Sequence, residues 1–368
     1  MEAKKPKIIL TGGHLSPLLA VYEELVKKAE CVVVGRKHTF EADQTVSFEY
    51  QLLKEKNVKF YDISASRFQR RFTKHTLPSL LKFPRSMSQA FNILKKENPN
   101  AVLTFGGYVG FPIALTARLL GIPVVVHEQT LHAGLTNQLI GKIAAKICIS
   151  YPSSQEYFPT NKTILTGNPL RQEIFIPNKG FNIPSSSPVL FVTGGSTGAH
   201  QLNTYIEFLL EKLLEKFVII NQTGDARQFK DYARLESLKK KLPKELSSKY
   251  ILKKFIIPEE IGWIYKNADV VVSRAGANTV SELLALKKKA ILIPLSHGQN
   301  NEQLENAKFY ESSGLGEYIL EKDVNLENLY NKIEQLLKKK VSSSFREFYE
   351  KDAAKEVAGI VLSVAKYV

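Results

Sequence analysis

Nine short apolar runs, mostly valine and isoleucine, recur along this chain with turns and amphipathic stretches between them. They are KIIL (7–10), CVVVG (31–35), AVLTF (101–105), PVVVHE (123–128), KICIS (146–150), VLFVTGG (189–195), FVIINQT (217–223), ADVVVSR (268–274) and KAILIPL (289–295). Continuous β-branched runs alternating with helices indicate βαβ units, whose parallel sheets are buried on both faces. The fold class is therefore α/β. The alternation runs to Ser150 and restarts near Thr166, which gives two doubly wound, Rossmann-like domains over 1–165 and 166–344. The stretch from Tyr151 to Glu173 holds three prolines and many turn formers, and reads as their connection. The chain end, about 345–368, reads as a helix expected to pack back on the first domain. At 368 residues each domain has enough chain to bury its own core.

Ligands of doubly wound sheets bind beyond the carboxyl ends of the strands. Polar and glycine-rich stretches follow the strands here. The first run breaks at Thr11-Gly12-Gly13-His14, the third at Gly106-Gly107-Tyr108 and the fourth at Glu128-Gln129-Thr130. His14 follows two glycines at a turn, where a side chain has little to pack against except a ligand, so it is a candidate base. His127 and Glu128 end a buried strand, where a structural role is the plain alternative.

In the second domain, Gly194-Gly195-Ser196-Thr197-Gly198 precedes a helix. Free N–H groups there suit a phosphate, and a tight turn with Ser196 or Thr197 as N-cap is the other reading. It is neither a Walker A loop nor a dinucleotide fingerprint. Thr279-x-x-Glu282 fits a capping box, which spacing alone favours over a carboxylate that takes ribose hydroxyls. The amide- and acid-rich run Ser296 to Ala307 suits a polyhydroxylated ligand or a solvated helix start.

In order along the chain, TGGHLSPLLAV, FGGYVGFP, HEQTLHAGLTNQ, TGNPLRQE, GGSTGAHQLN, SRAGANTVSELLAL and the HGQNNEQLENA run resemble the MurG family of bacterial N-acetylglucosaminyltransferases. The resemblance extends from about Lys7 to the C-terminal helix. It implies the GT-B fold, two Rossmann-like domains facing a cleft. It also implies inverting transfer of N-acetylglucosamine from UDP-N-acetylglucosamine to the muramyl 4-hydroxyl of lipid I, giving lipid II for peptidoglycan. Another GT-B enzyme of UDP-sugars, a glycolipid synthase or epimerase, and a non-catalytic UDP-sugar-binding membrane protein are the alternatives.

The resemblance also assigns residues. Ser196, with Arg171 nearby, would hold the donor diphosphate. Glu282 would take the ribose hydroxyls, against the capping box that spacing favours. Ala277, Asn278 and Thr279 would contact ribose and pyrophosphate, Glu302 and Gln303 the sugar, and Ile256 the uracil. Thr11, Gly12, Gly13 and His14 would face a pyrophosphate, with Tyr108 and Glu128 beside them. His14 and Glu128 are the catalytic candidates. Two departures stand out: Ile9 and Leu10 replace the family's leading glycines, and Thr130, itself a substrate-binding candidate, stands where the family has an asparagine that contacts the donor sugar. No Asp-x-Asp motif is present, so neither a metal nor another cofactor is expected.

The net charge of +15 bears on partners. Between Gln51 and Asn100 there are 11 lysines and arginines against 3 acids. Interleaved with Phe68, Phe72, Leu77, Leu80, Leu81 and Phe83, they suit an anionic membrane surface, with an ordinary core helix as the alternative. No nucleic-acid motif is present, so nucleic acid is not an expected partner. The residues before KIIL are charged and the run is short, so neither a signal peptide nor a spanning helix is expected. The expected location is peripheral, on the cytoplasmic face of the cell membrane. Cys31 and Cys148 read as buried thiols in a reducing compartment.

Overall fold

Parallel pairing accounts for the apolar runs. The computed structural model describes residues 5–13, 15–37, 50, 53–54, 56–63, 83–178, 180–183, 187–195, 198–225, 228–295, 301–340 and 352–365. The chain divides into two compact units, Met1–Arg171 with Glu350–Val368, and Gln172–Tyr349.

The first unit contains β1 (Lys7–Thr11), β2 (Glu30–Gly35), β3 (Lys59–Asp62), β4 (Ala101–Thr104), β5 (Val124–Glu128), β6 (Lys146–Ile149) and β7 (Thr163–Leu165). Its helices are α1 (Leu15–Leu25), α2 (Phe83–Glu97), α3 (Gly107–Leu119), α4 (Leu135–Ile143) and, from the chain end, α12 (Ala353–Val364). All pairs are parallel, in the order β3-β2-β1-β4-β5-β6-β7. The order reverses between β1 and β4, where a doubly wound sheet opens its crevice.

Alternate residues of each strand supply two cores. Ile8, Leu10, Val33 and Leu103 pack with Leu18 and Leu25 of α1 and with Val357 and Val361 of α12. Ile9, Val32, Val102 and Val126 pack with Ile93 of α2, Ile113 of α3 and Ile140 of α4. Burial on both faces explains why these strands read as unbroken apolar runs.

The second unit contains β8 (Val189–Thr193), β9 (Val218–Gln222), β10 (Tyr250–Lys253), β11 (Val270–Ser273), β12 (Ala290–Leu292) and β13 (Glu317–Tyr318). They pair in parallel in the order β10-β9-β8-β11-β12-β13, reversing between β8 and β11. The helices are α5 (His200–Lys216), α6 (Asp231–Lys241), α7 (Lys244–Ser248), α8 (Pro258–Asn267), α9 (Ala277–Ala285), α10 (Glu302–Ser312) and α11 (Leu326–Lys338). Leu202, Ile206 and Leu213 of α5 and Ile333 of α11 cover Leu190, Val192, Val270 and Ile291.

Some of the positive charge works inside the fold. The ammonium of Lys162 donates to the carbonyls of Lys142 (3.1 Å) and Ala144 (2.9 Å) at the end of α4. Lys249 donates to Leu214 at the end of α5, and Lys289 to Leu337 at the end of α11. Lys288 donates to Lys266 and Ala268 at the end of α8. The last carbonyls of a helix lack intrahelical partners and carry its negative dipole end, so a lysine there is favourable on both counts.

Candidate active site

In the first unit the turns after β1 and β4 meet. Gly12 leaves β1 so close to the next strand that an added Cβ would lie 2.8 Å from Cβ of Phe105. Gly106 has φ 74°, and a Cβ there would overlap Asn137 Oδ1 at 1.8 Å. Only glycine fits either position. A Cβ on Gly107 would lie 3.5 Å from the Gly13 nitrogen, so the two turns touch through backbone. The Thr104 hydroxyl accepts from the Gly106 N–H at 3.1 Å and fixes the bend. Helix α3 then starts with no side-chain cap on its first N–H groups. Half-buried Tyr108 lies in its first turn, and its hydroxyl accepts a hydrogen bond from Arg36. Thr11 is fully buried at the end of β1. His14 lies outside the described residues.

Glu128, the last residue of β5, is 1% exposed. One carboxylate oxygen accepts from the Thr130 N–H (2.9 Å) and hydroxyl (2.7 Å). The other accepts from the Gly134 N–H (3.1 Å) and Asn137 Nδ2 (2.9 Å). Burial raises its pKa, and these four donors act in the opposite direction. The carboxylate ties down the loop 129–134. Thr130 is equally committed, with its hydroxyl also 2.8 Å from the carbonyl of His132. His127 is a core residue, with Nε2 3.1 Å from the Gly167 carbonyl and its ring beside Phe105. Arg171 is half-buried at the end of this unit.

In the second unit β8 ends with the same device, the Thr193 hydroxyl accepting from the Gly195 N–H at 3.0 Å. Ser196 and Thr197 lie outside the described residues. Helix α5 starts at His200 with Ala199 at the N-cap and no side-chain cap, so neither Ser196 nor Thr197 occupies the cap position. Sequence reasoning missed the cluster around His200. Its Nδ1 lies 2.8 Å from buried Asp231, and the imidazole stacks on Phe229 at 3.9 Å between centroids. Asp231 also accepts from Asn203 and Arg234. A histidine at the end of a glycine turn, with an aspartate 31 residues on, was the available signal.

The capping box after β11 is corrected. Helix α9 begins at Ala277 with Gly276 as its N-cap and no side-chain cap. Thr279 is therefore inside the first turn, and Glu282 is in the second, out of register with the terminal N–H groups. Glu282 is 4% exposed and accepts the Tyr265 hydroxyl at 2.9 Å. Ala277 is buried, while Asn278 and Thr279 are half-buried. Arg274 pairs with Glu321 at 2.5 Å and donates to the Ile293 carbonyl, and Asn306 donates to the Ala275 carbonyl, so the turn is held from both sides.

Residues 296–300 lie outside the described set. Glu302 opens α10 half-buried, and Gln303 accepts from the Leu295 N–H at 3.1 Å. Ile256, three residues past β10, is 7% exposed.

Each unit thus presents glycine turns and uncapped helix starts at the point where its strand order reverses. Comparison with known proteins bears on what they serve. The glycosyltransferase family 28 N-terminal domain matches residues 9–149, and the C-terminal domain of the same family matches 189–360. A protein of Clostridium novyi named UDP-N-acetylglucosamine--N-acetylmuramyl-(pentapeptide) pyrophosphoryl-undecaprenol N-acetylglucosamine transferase is 33% identical over 348 residues, 91% of this chain and 92% of its own. The Treponema denticola protein of that name is 37% identical over 325 residues, 85% and 83% of the two chains. The crystal structure of MurG from Acinetobacter baumannii superposes with a TM-score of 0.68 at 27% identity, covering 97% of this chain and 99% of that one. A UDP-GlcNAc 2-epimerase from Neisseria meningitidis shares the fold alone, at 15% identity and a TM-score of 0.65 over 97% of this chain and 100% of its own. The chain belongs to glycosyltransferase family 28, with the MurG-type N-acetylglucosamine transferases.

Proposed function

We propose that this protein transfers N-acetylglucosamine from UDP-N-acetylglucosamine to the muramyl 4-hydroxyl of lipid I. The observation that carries the reading is 33% identity, over 91% of the chain, to a transferase named for that donor and acceptor. The second unit takes the donor. The Gly194–Gly198 turn and Ser196 hold the diphosphate at the start of α5. Glu282 accepts the two ribose hydroxyls, oriented by Tyr265. Ala277, Asn278 and Thr279 contact the ribose and pyrophosphate. Glu302 and Gln303 read the sugar, and Ile256 meets the uracil.

The first unit takes the acceptor at Thr11, Gly12, Gly13 and Tyr108. The acceptor oxygen forms a bond to C1 of N-acetylglucosamine as the C1–oxygen bond to UDP breaks. The electron pair leaves with UDP, and the hydroxyl proton goes to His14. Donors at the start of α5 stabilise the charge that grows on the diphosphate. Glu128 is a positioning residue in this scheme, because its carboxylate already accepts from four donors of the following loop and of α4. The Thr130 hydroxyl is held in the same network, which supports a donor-sugar contact made by other residues.

A peripheral contact with the anionic cytoplasmic face of the membrane is part of this proposal. Leu119, Leu135 and Leu139 of α3 and α4 are 73%, 46% and 42% exposed, with Arg118, Lys142 and Lys162 nearby in the chain or the fold. Exposed leucines on helices that also carry cations suit such a surface. The basic segment 64–82 lies outside the described residues. No helix among the described residues is long and apolar enough to cross a membrane.

The test is transfer of label from radiolabelled UDP-N-acetylglucosamine to a lipid I analogue in detergent. Label in the lipid fraction is expected. No transfer, where binding of the UDP-sugar is demonstrated, would sink the assignment.

A further inference from the structure

We infer that Arg36, at the end of β2, is an anion-binding residue of the acceptor site and contacts the diphosphate of the acceptor. The inference rests on the transferase reading above and adds a residue that no motif marks.

The argument starts from the strand order. Strand β2 neighbours β1, and β1 neighbours β4. Adjacent strands lie about 4.8 Å apart, so the ends of β2 and β4 are separated by about 10 Å with the end of β1 between them. Arg36 directly follows β2, and Tyr108 lies in the first turn of α3 after β4. Arg36 nonetheless donates from Nη1 to the Tyr108 hydroxyl, with its guanidinium carbon 5.4 Å from the ring centroid. The two side chains therefore meet across the end of β1, which the Gly12-Gly13 turn follows, at the reversal of strand order. In doubly wound sheets ligands bind at this point.

Among the described residues, no carboxylate lies within ion-pair distance of Arg36, which is half-buried and holds a neutral partner. The acid at the neighbouring strand end, Asp62, accepts instead from the Lys37 N–H at 2.9 Å. Arg274 and Arg234 of the second unit, by contrast, each pair with a carboxylate. A guanidinium stays charged at every physiological pH and carries five donors in a fork that fits phosphate oxygens. Tyr108 takes one and also fixes the orientation of the plane. The N–H groups at the start of α3 have no side-chain cap, and the Thr11 hydroxyl is fully buried without a hydrogen-bond partner among the described residues. A diphosphate supplies the anionic oxygens that this collection of donors lacks.

The test uses the full chain as wild type, R36A, R36K and Y108F. Two acceptors are compared, a lipid I analogue with its diphosphate and a matched analogue with a neutral linkage. With the diphosphate acceptor, R36A should raise the acceptor KM about tenfold or more, with the donor KM changed less than about twofold. R36K should recover part of the loss, and the neutral acceptor should be insensitive to the substitution. Equal losses on both acceptors would overturn the inference, since Arg36 would then read a carboxylate of the acceptor or serve the fold. A rise confined to the donor KM would assign it to the donor diphosphate instead. Y108F reproducing R36A in full would mean that Arg36 acts only through Tyr108. R36Q replaces R36A if the latter does not fold.

If wild type transfers to neither acceptor, the transferase reading fails, and calorimetry with inorganic pyrophosphate at saturating UDP judges Arg36 alone. About tenfold weaker binding by R36A would sustain the anion site, and unchanged binding would remove it.

Discussion

The Glu128 carboxylate and the Thr130 hydroxyl lie 2.7 Å apart, in a buried network that gives each carboxylate oxygen two donors. An amide in place of the carboxylate sets an NH2 group against two donors. E128Q should therefore destabilise the first unit by about 2–4 kcal/mol and lower activity together with melting temperature. A residue needed for proton transfer alone would lose activity in E128Q with stability intact, so paired denaturation and rate measurements separate the two roles. T130V keeps the shape and removes one donor, and should cost about 1 kcal/mol.

Glu282 and Tyr265 carry the corresponding prediction for the donor. The carboxylate is buried and already accepts the tyrosine hydroxyl on Oε2. E282A should raise the KM for UDP-N-acetylglucosamine by about 30-fold or more, since charge-assisted hydrogen bonds to two hydroxyls contribute roughly 1.5–3 kcal/mol each. Y265F should move it in the same direction by about threefold, through orientation alone. Calorimetry with UDP measures both. An E282A protein that binds UDP like wild type would leave Glu282 as a residue of the fold.

The two parallel sheets were legible because strands buried on both faces, such as CVVVG at 31–35 and VLFVT at 189–193, read as unbroken apolar runs. β3, β7 and β13 were not, because strands of two to four residues with the mixed sequences KFYD, TIL and EY leave no period to detect. The Thr279–Glu282 spacing pointed to a capping box, but a helix with Gly276 as its N-cap changes the register of both residues. Sequence reading grouped Glu128 with His14 as catalytic, since sequence does not show that donors from Thr130 to Asn137 curl back onto one carboxylate. Arg36 carried no signal, because the tyrosine that defines it is 72 residues away.

Cys148 is buried, as the sequence suggests, whereas Cys31 at the start of β2 is only half-buried, and thiol chemistry tests both. Burial pushes the Cys31 thiol up to about 12, and the Cys148 thiol is raised for the same reason. At pH 8 about one Cys31 in ten thousand is then thiolate, the reactive form. Native protein should resist iodoacetamide for hours while unfolded protein takes up two labels, read by intact mass. Rapid labelling of the native chain would mean that burial does not suppress the Cys31 thiolate.

The His14 proposal predicts a rate effect without a stability effect. H14A should lower kcat by about 100-fold or more and remove the acidic limb of its pH profile, as loss of a general base requires. The KM values should change little by comparison. A loss of less than about tenfold, with the acidic limb retained, would make His14 a residue that only positions ligands.

Glu97 predicts how the first unit responds to acid. It is the last residue of α2, is 3% exposed, and joins that helix to the starts of β1 and β3. Burial by itself would raise its pKa. Hydrogen bonds from Tyr61, Lys59 and Lys7 outweigh burial and hold it down at about 2. An unfolded glutamate titrates near about 4.3, so between these values the unfolded chain binds the extra proton and stability rises with pH. The contribution, roughly 2–3 kcal/mol at one pKa unit per 1.36 kcal/mol, is full above about pH 5 and is lost as pH falls toward 2. E97Q should lower the urea midpoint at pH 7 and flatten its decline between about pH 5 and 3, while the folded enzyme keeps its kcat because the cluster lies at the amino ends of the strands. An E97Q protein whose midpoint falls with acid as steeply as wild type would mean that other carboxylates carry the acid sensitivity.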